Sequence, residues 1–522
     1  MPGATFPEPG PDAPHILLAM NVYWEQFVNV YSLLAVALRL RGVRVSVLVN
    51  DGALPACEKC LFTDGGVRNH AIDHKAVAKI FSPLGVRILR FTDFINRNDR
   101  TEIEQQASTV SLETLSQYAP AGIAIGEQAL AGALRFYAKG TLADTAAEQA
   151  VVRQYLLAAL VTERVIHKVL SADQYTAVCC HHGIYIPQGI VGEVARAMQI
   201  RVVNWNVAYR EKCFIFSHSD TYHHTLLDEP TSVWEQLHWT EQLDKKITEY
   251  LLSRHRGSKD WISFNRQPEE NKAQIIEQLQ LNSKKPIVVL LTNVIWDAQL
   301  HYRTNIFSNM IEWVIETIKY FAQRPDIQLV IRIHPAELKG TIPSRQPMLT
   351  EIRQAFPTLP ANIKVIPPDS SISTYVVSAL GNAAIIYGTK TGVELVSSGI
   401  PTIVAGEAWI KHKGLTIDPT SIPDYFATLD HLPFTERLSS ATIQRAKRYA
   451  YHFFFRRMIP LRCVQPTQSI YFRLQLADLQ SIMPGSDPGL DVICQGIQTG
   501  SPFIYQDEIT TTASQSYWLD MR

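Results

Sequence analysis

The sequence predicts an α/β fold made of two Rossmann-like domains that face each other across a cleft. Apolar runs of strand length alternate with segments of helical periodicity, once from residue 15 onward and again from residue 286 onward. There is also an internal repeat, because residues 14–25 (PHILLAMNVYWE) align without gaps on residues 286–297 (PIVVLLTNVIWD). Each copy has the pattern of a first strand and its C-terminal loop, where open α/β sheets bind ligands.

Length and composition agree with a globular protein of two or three domains. The chain has 522 residues, of which 46% are hydrophobic and 19% charged. The 49 Lys and Arg residues balance the 49 Asp and Glu residues, which argues against a protein dedicated to nucleic acid. No apolar run approaches the ~20 residues that span a bilayer, and residues 1–14 lack the pattern of a secretory signal. We therefore expect a cytoplasmic protein that does not bind nucleic acid.

Seven cysteines, an odd number, fit a reduced protein better than a disulfide framework. Cys57 and Cys60 form a CxxC pair that lacks a second ligand pair in the sequence. We therefore interpret both as buried or loop thiols, which is common for free cysteine.

In the first half, the elements follow the order of a doubly wound sheet. Residues 15–20 predict a strand, 27–40 a helix and 43–49 a second strand. Helical stretches are expected at 102–117 and 141–170, followed by a strand at 176–180, a helix at 188–198 and a strand at 201–206. We expect an extended arm at 1–14 and an acceptor-binding domain at 15–265, with a polar linker around residues 253–285.

The second half repeats this order of elements. Strands are predicted at 286–291, 328–333, 364–366, 383–387 and 402–405, and helices at 306–321, 370–380 and 391–398. Ser370 or Ser371 is a candidate cap for the second of these helices, and Gly399 ends the third. The second domain spans 283–435, helices at 440–480 pack back across the domains, and the role of 484–522 is not indicated.

The first motif with chemical meaning is the segment 331–337, IRIHPAE. A strand ends at His334, and Pro335 is expected at the first position of a helix. An imidazole and free backbone N–H groups would then stand together at the sheet edge, where they suit a phosphate oxygen. The alternative is a histidine that caps a buried loop.

The second motif is the segment 387–394, YGTKTGVE. A strand passes through a loop of glycine and hydroxyl residues into a helix with Glu394 in its first turn. Hydroxyl and N–H groups in such a loop bind phosphate, and a carboxylate can accept both hydroxyls of a ribose. The segment is not a Walker A loop, and Thr and Gly also begin helices simply as caps.

Together, the segments RIHPAE, PDSSI and YGTKTGVELVSSGIPTIVAG resemble the C-terminal domain of bacterial capsule polysaccharide biosynthesis proteins. These are GT-B glycosyltransferases related to the capsule Kdo transferases, and the segments also look like those of CDP-glycerol polymer transferases. Residues 445–457 (RAKRYAYHFFFRR) look like the aromatic C-terminal helix of the same group. The resemblance runs from residue 286 to about 457 and is weaker before it, at 126–135 and 181–189.

The resemblance implies a GT-B enzyme that moves a sugar from a nucleotide-activated donor to a growing surface or capsular glycan or a glycolipid. The donor phosphates would bind His334, Thr389 and Thr391, the ribose Glu394, and the base would lie near Ser370 and Ser371. The full donor set is Arg332, His334, Ser370, Ser371, Thr389, Lys390, Thr391, Gly392 and Glu394. Lys390 departs from the family, which commonly has two hydroxyl residues here; it adds a phosphate contact or points to solvent.

Three residues are candidates for the base that deprotonates the acceptor hydroxyl, namely His182, Glu25 and Asp297. Each follows a predicted strand, and a base must lie within hydrogen-bond reach of the hydroxyl. The alternative for each is a hydrogen bond that stabilises its loop. Catalysis would come from positioning and fixed donors, so we expect no metal and no cofactor other than the donor. The His218, His223 and His224 group lacks a ligand shell with metal spacing.

Two other functions and one other location fit the same features. A nucleotide-sugar epimerase of GT-B type would convert a donor without any acceptor. A catalytically silent GT-B scaffold would organise a glycan-synthesis complex. The basic, aromatic helix at 444–455 fits either packing across the domains or peripheral contact with the anionic inner face of a membrane.

Overall fold

A computed structural model of the chain describes residues 6–22, 24–68, 70–255, 259–261, 268–467 and 472–508. The strands are β1 His15–Met20, β2 Arg44–Val49, β3 Arg87–Arg90, β4 Ala177–His181, β5 Arg201–Val207, β6 Cys213–His218, β7 Ile287–Leu291, β8 Gln328–Arg332, β9 Ile363–Ile366, β10 Ala383–Ile386, β11 Thr402–Val404, β12 Ile459–Pro460, β13 Val464–Pro466 and β14 Phe472–Leu474. The α-helices are α1 Glu25–Leu40, α2 His74–Phe81, α3 Arg97–Thr109, α4 Ile125–Tyr137, α5 Ala146–Ala172, α6 Gln188–Ala197, α7 Tyr222–Asp228, α8 Ser232–Glu235, α9 Glu241–His255, α10 Lys272–Gln278, α11 Met310–Ala322, α12 Ala336–Lys339, α13 Met348–Ala355, α14 Thr374–Leu380, α15 Thr391–Ser397, α16 Ile422–Asp430, α17 Ser440–Tyr451 and α18 Pro488–Thr499.

The chain divides into two units, and each unit takes residues from separate parts of the sequence. Unit 1 comprises 1–137, 142–225 and 455–522, and unit 2 comprises 138–141 and 226–454. Residues 226–265, which the sequence suggested for the first domain, therefore belong to unit 2. The reason is local packing: the ring of Tyr250 on α9 lies 4.9 Å from that of Phe454 just after α17.

Unit 1 is built around a seven-stranded sheet in the order β12-β6-β5-β4-β1-β2-β3. Strands β1 to β5 run parallel, whereas β6 and β12 add antiparallel pairs at one side. All six residues of β1 are buried, as expected of a central strand in a parallel sheet covered on both faces. The chain order reverses between β1 and β4, so their carboxyl ends border the ligand crevice of a Rossmann-like sheet.

Residues 484–508 complete unit 1 and are not a separate tail. The side chain of Asp487 caps α18 by accepting the N–H of Gly489 at 3.0 Å. Leu490 and Ile493 on α18 are fully buried. On β5, the Arg201 guanidinium donates to the carbonyl oxygen of residue 497 at 2.6 Å. The described part of this segment is therefore a structural element of the unit.

Unit 2 contains a five-stranded sheet in the order β11-β10-β7-β8-β9, and its strand pairs are parallel. The central strand β7 is buried along its whole length. Its neighbours are β8 and β10, so the topological switch lies between β7 and β10. The two copies of the internal repeat thus supply the middle strand of the five parallel strands in each sheet. The predicted fold class of two Rossmann-like domains is confirmed.

Two predictions about helix starts are wrong. Neither Ser370 nor Ser371 caps the helix after β9; Ser373 does, accepting the N–H of Val376 at 3.4 Å, and the helix begins at Thr374. Pro335 is the N-cap residue of α12 and not its first helical residue. In both places the turn between strand and helix is longer than the sequence pattern suggested.

The basic, aromatic helix α17 is part of the unit 2 core. Four aromatic residues of this helix and of the following π-helical turn have no exposed surface, namely Tyr449, Tyr451, Phe453 and Phe454. Its cationic side chains pair with acidic residues of the same unit, Arg445 with Glu235 at 2.6 Å and Lys447 with Asp244 at 3.0 Å. This arrangement favours the core interpretation of the helix over the membrane one.

Candidate functional site

The carboxyl edge of the unit 2 sheet brings both sequence motifs together. The loops after β8 and β10 lie on either side of β7, and two consecutive residues after β7 hold them. Thr292 Oγ1 accepts the backbone N–H of His334 at 3.0 Å, and Asn293 Oδ1 accepts that of Gly388 at 3.3 Å. The histidine and the hydroxyl loop are therefore tied to one strand, as the predicted site at the sheet edge requires.

His334 is held in one tautomer by its own loop. Its Nδ1 accepts the backbone N–H of Ala336 at 3.1 Å. Since an amide nitrogen can only donate, the proton of the neutral ring is on Nε2. Burial, together with the charges of Lys390 and Arg332, lowers the pKa of His334 to about 3. At neutral pH the ring is therefore an uncharged N–H donor.

The loop from Gly388 to Gly392 is ordered by its own hydroxyl groups. Thr389 Oγ1 accepts the backbone N–H of Thr391 at 3.3 Å and lies 3.1 Å from its hydroxyl oxygen. At Gly392, a Cβ atom would come within 2.6 Å of the Ile386 side chain. Gly392 therefore allows α15 to pack closely on β10 and so positions the loop.

Lys390 lies between the two threonines and is half-buried. Burial and the charge of Arg254 lower its pKa to about 8, while Glu394 and Asp260 act in the opposite direction. Its charge also contributes to the lowered pKa of His334. Lys390 is thus a cationic residue in the loop that follows β10, at the same sheet edge as the His334 loop.

Glu394 is more deeply buried than the sequence suggested, with 2% of its surface exposed. The Nη2 atom of Arg254, at the end of α9, lies 3.1 Å from its Oε1 atom. The hydroxyl group of Tyr375, in the first turn of α14, donates to its Oε2 atom at 2.5 Å. Arg254 also pairs with Asp260. Of the carboxylate that we predicted to bind ribose, Oε2 therefore has a hydrogen-bond partner, whereas Oε1 has an ion-pair partner but accepts no hydrogen bond from the described residues.

Arg332 lies close to Ser370. Its side chain stabilises the loop that contains Ser370 and does not contribute to the carboxyl edge of the sheet. Arg332 is 2% exposed, and its guanidinium donates to the carbonyl oxygens of Pro367 and, at 3.1 Å, Ser370. The hydroxyl of Ser370 accepts the N–H of Ile372 at 3.2 Å, and Ser371 is exposed. Burial lowers the pKa of Arg332 to about 10, so it remains charged at neutral pH.

The three candidate bases fall in different units. Asp297 is an exposed residue of unit 2 in the loop after β7. Glu25 is an exposed residue of unit 1 and is the first residue of α1, where an acidic side chain is favoured by the helix dipole. His182, also in unit 1, follows β4 directly.

Sequence reasoning missed several residues that surround the predicted site residues. Arg254 and Tyr375 lie beside Glu394, and Glu58 and Arg135 lie beside the His182 turn. Arg135 ends a segment that carries part of the family resemblance, which was a usable signal. No signal points to Arg254 or Glu58, because the contacts of Arg254 with Glu394 and of Glu58 with Gln188 join residues that are 140 and 130 positions apart in the chain.

Comparisons with known proteins give matches of low similarity. No protein-family model matches the chain, and no curated protein matches its sequence. Among solved structures, the chain is similar to the KpsC β-Kdo 2,4-transferase of Thermosulfurimonas dismutans, with 14% identity, a TM-score of 0.35 and coverage of 53% of this chain and 79% of that one. The chain is also similar to the KpsC β-Kdo 2,7-transferase of the same organism, with 12% identity, a TM-score of 0.33 and coverage of 63% of this chain and 89% of that one.

A third similar structure is the UDP-GlcNAc 2-epimerase of Neisseria meningitidis bound to UDP-GlcNAc. It has 10% identity, a TM-score of 0.22 and coverage of 83% of this chain and 95% of that one. These structures thus comprise two glycosyltransferases and an epimerase.

Two further observations concern the described residues only. None of their helices has the length and apolar character to cross a membrane. None of their His, Cys, Asp and Glu side chains forms a group of three placed to hold a metal ion. Within the histidine-rich segment, His218 bonds to the carbonyl oxygen of Ser501 at 2.8 Å and His224 to Asp220 at 2.9 Å. Those two rings are thus used in local contacts.

Proposed function

We propose that this protein is a glycosyltransferase that takes a sugar from a nucleotide-activated donor. One observation carries the proposal: His334, Lys390 and the Thr389–Thr391 hydroxyls converge on the carboxyl edge of the unit 2 sheet, beside the topological switch. This edge is the usual ligand position in open α/β sheets. The acceptor we propose is a growing surface or capsular glycan or a glycolipid, as the family resemblance implies.

The chemistry of the cluster suits a phosphate that leaves with negative charge. A neutral imidazole N–H and a lysine ammonium donate hydrogen bonds without accepting any, and hydroxyl groups adapt to either role. Fixed donors of this kind stabilise charge that develops as the bond to the sugar breaks. We propose that Lys390 and His334 contact the departing phosphate and that Arg332 positions the Ser370 loop near the nucleotide.

We also propose that Glu394 binds the ribose of the donor, which requires a movement of the residues around its carboxylate. The carboxylate is 2% exposed and is held by Arg254 and Tyr375. A ribose can reach it only if one of these partners shifts when the nucleotide binds. The Arg254–Glu394 pair would then also keep the carboxylate ionised and oriented.

The experiment that tests the donor site is calorimetry of the full chain with CMP, CDP, UDP and GDP. We expect one base to bind with the highest affinity and His334→Ala to weaken that binding at least about tenfold, because it removes a hydrogen bond to a charged group. Lys319→Met, which removes an exposed lysine of the same unit that pairs with Glu316, is the control. If none of the four nucleotides bound to the protein, the proposed donor site would be wrong.

Product analysis separates transfer from epimerisation. The sugar nucleotide of the preferred base is incubated with the protein, alone and with a surface-glycan acceptor. A transferase consumes the donor in the presence of the acceptor and releases nucleotide. Formation of an epimer of the donor in the absence of acceptor would contradict the proposal and support the epimerase alternative.

A further inference from the structure

Glu394 belongs to a network of buried charges at the carboxyl edge of the unit 2 sheet. Its carboxylate lies between the first turns of α14 and α15, the helices that follow β9 and β10. The Nη2 atom of Arg254 is 3.1 Å from its Oε1 atom, and both side chains are almost fully buried. Arg254 also pairs with Asp260, whose side chain is 8% exposed. One guanidinium is therefore shared between two buried carboxylates.

The two partners of Glu394 contact it in different ways. The Tyr375 hydroxyl donates to Oε2 at 2.5 Å, the distance of a strong hydrogen bond to a carboxylate. Oε1 is buried beside Arg254 and accepts no hydrogen bond from the described residues. A buried acceptor without a donor is costly unless a ligand or water satisfies it. Oε1 is therefore the oxygen that a ligand hydroxyl would satisfy.

Arg254 has other contacts that would hold it if it moved away from Oε1. Its Nη1 atom donates to Asp260 and, at 3.4 Å, to the hydroxyl oxygen of Tyr250. The Tyr250 hydroxyl donates to Asp260 at 2.6 Å and so orients this second carboxylate. A shift of the guanidinium away from Glu394 would thus break one of two ion pairs and leave the charge of Arg254 balanced by Asp260.

Tyr375 is held more firmly on Glu394. Its ring stacks on that of His255, at 3.9 Å between centroids and 22° between planes. To leave Oε2, it would have to break a hydrogen bond to a charged group and this stacking contact. Arg254 is therefore the partner that moves more readily when a ribose reaches the carboxylate.

We propose that Glu394 recognises a single ribose hydroxyl through Oε1, that Arg254 yields this oxygen to the hydroxyl, and that Asp260 retains the guanidinium. The inference rests on the proposed donor site and narrows it, because the sequence suggested a carboxylate that accepts both ribose hydroxyls. Tyr375 keeps Oε2 and is a positioning residue for the carboxylate. The donor site should therefore distinguish a ribonucleotide from only one of its two deoxy analogues.

The test is calorimetry of the full chain with the preferred nucleotide and with its 2′-deoxy and 3′-deoxy analogues. We expect one analogue to bind at least about tenfold more weakly, because it lacks a hydrogen bond to a charged group, and the other to bind within about twofold of the parent. Similar losses for both analogues would overturn the inference, because Glu394 would then accept both hydroxyls. Unchanged affinity for both would also overturn it, because Glu394 would then not contact the ribose. Binding of no nucleotide would instead refute the proposed donor site itself.

Asp260→Asn tests whether Arg254 is the partner that moves. This variant removes the second ion pair of Arg254, so displacement of the guanidinium from Glu394 becomes less favourable. Affinity for the parent nucleotide should fall about threefold or more. Affinity for the sensitive analogue should stay the same, because that analogue does not displace Arg254. An unchanged ratio of the two affinities would show that Arg254 does not yield Oε1 and would overturn its assigned role.

Tyr375→Phe tests the role of the tyrosine hydroxyl. The variant frees Oε2, so the analogue that the wild type tolerates should now bind about threefold or more weakly than the parent. An unchanged ratio would exclude the positioning role of Tyr375. Tyr320→Phe is the matched control, because it removes a hydroxyl that donates to Asp430 at 2.8 Å from the last turn of α11. The comparison of the two analogues in the wild type needs no variant, so it decides the inference even if a variant does not fold.

Discussion

Lys390 departs from the pattern of the family that the sequence resembles, which commonly has two hydroxyl residues where this chain has Thr389, Lys390 and Thr391. It is half-buried between Thr389 and Thr391, on the same edge as His334. We predict that Lys390→Met weakens nucleotide binding about ten- to hundredfold, because a charged hydrogen bond to phosphate contributes about 1.5–3 kcal/mol. Calorimetry with the preferred nucleotide measures this, with Lys319→Met as the control. Equal affinity of Lys390→Met and wild type would show that Lys390 points away from the phosphate.

The same lysine makes binding depend on pH in a defined direction. Burial lowers the pKa of Lys390 to about 8, so the amine is charged at pH 7 and loses its proton as the pH rises through 8. We predict constant affinity near pH 7 and a loss of at most about tenfold per pH unit above 8, since one proton is linked to binding. Calorimetry between pH 7 and 9 tests this. The affinity of Lys390→Met should not depend on pH in this range. If the affinity of this variant still fell above pH 8, the proton linked to binding would belong to another group.

At the scale of elements, two ion pairs join α9 to other helices of unit 2 and differ in burial. Arg254 pairs with Glu394 of α15, and their side chains are 4% and 2% exposed. We predict that Arg254→Met lowers the free energy of unfolding by about 3–5 kcal/mol, because it leaves buried carboxylates without their cation. Asp244 pairs with Lys447 of α17 at 38% and 21% exposure, so Lys447→Met should cost at most about 1 kcal/mol. Urea unfolding compares the two, and equal costs would contradict the assigned burial.

The elements also show what the sequence can predict. The strands at 15–20 and 286–291 are confirmed because a parallel central strand is an unbroken apolar run, which needs only local information. The predicted cap of α14 is wrong because three serines lie close together in the sequence. Tertiary contacts determine the turn before the helix, and this turn makes Ser373 the capping residue. The edge position of His334 follows from strand order, but the burial of Glu394 depends on Arg254, which is distant in sequence.

At the scale of the whole molecule, the two units are not consecutive halves of the chain. The polar character of residues 253–285 suggested a linker, yet this segment, with the end of α9 and the whole of α10, belongs to unit 2. Residues 138–141 also belong to unit 2, where the carbonyl oxygen of Ala138 accepts the N–H of Arg345 at 2.9 Å. Composition cannot reveal which unit such a segment joins, because a helix that packs on a distant helix has the same sequence pattern as one that packs on its neighbour.

This division predicts which fragment of the chain folds alone. We expect residues 226–454 to form a stable domain, because they contain the whole five-stranded sheet together with α9 and α17. A fragment limited to 283–435 should not fold cooperatively, because it lacks Arg254 and leaves the charge of Glu394 buried without its cation. It also lacks Tyr449, whose fully buried hydroxyl donates to the carbonyl oxygen of Trp409 at 2.6 Å.

Circular dichroism during thermal unfolding and the dispersion of amide NMR signals distinguish the two fragments. The longer one should melt in a single transition with dispersed signals, and the shorter one should show neither. Residues 138–141 hydrogen-bond to Arg345 and Gln346, and Ala138 is buried in the hydrophobic core of unit 2. Their absence should therefore lower the melting temperature of the longer fragment without unfolding it. If both fragments melted cooperatively at the same temperature, α9 and α17 would be accessories to the sheet, and the boundary inferred from sequence would describe the folding unit better.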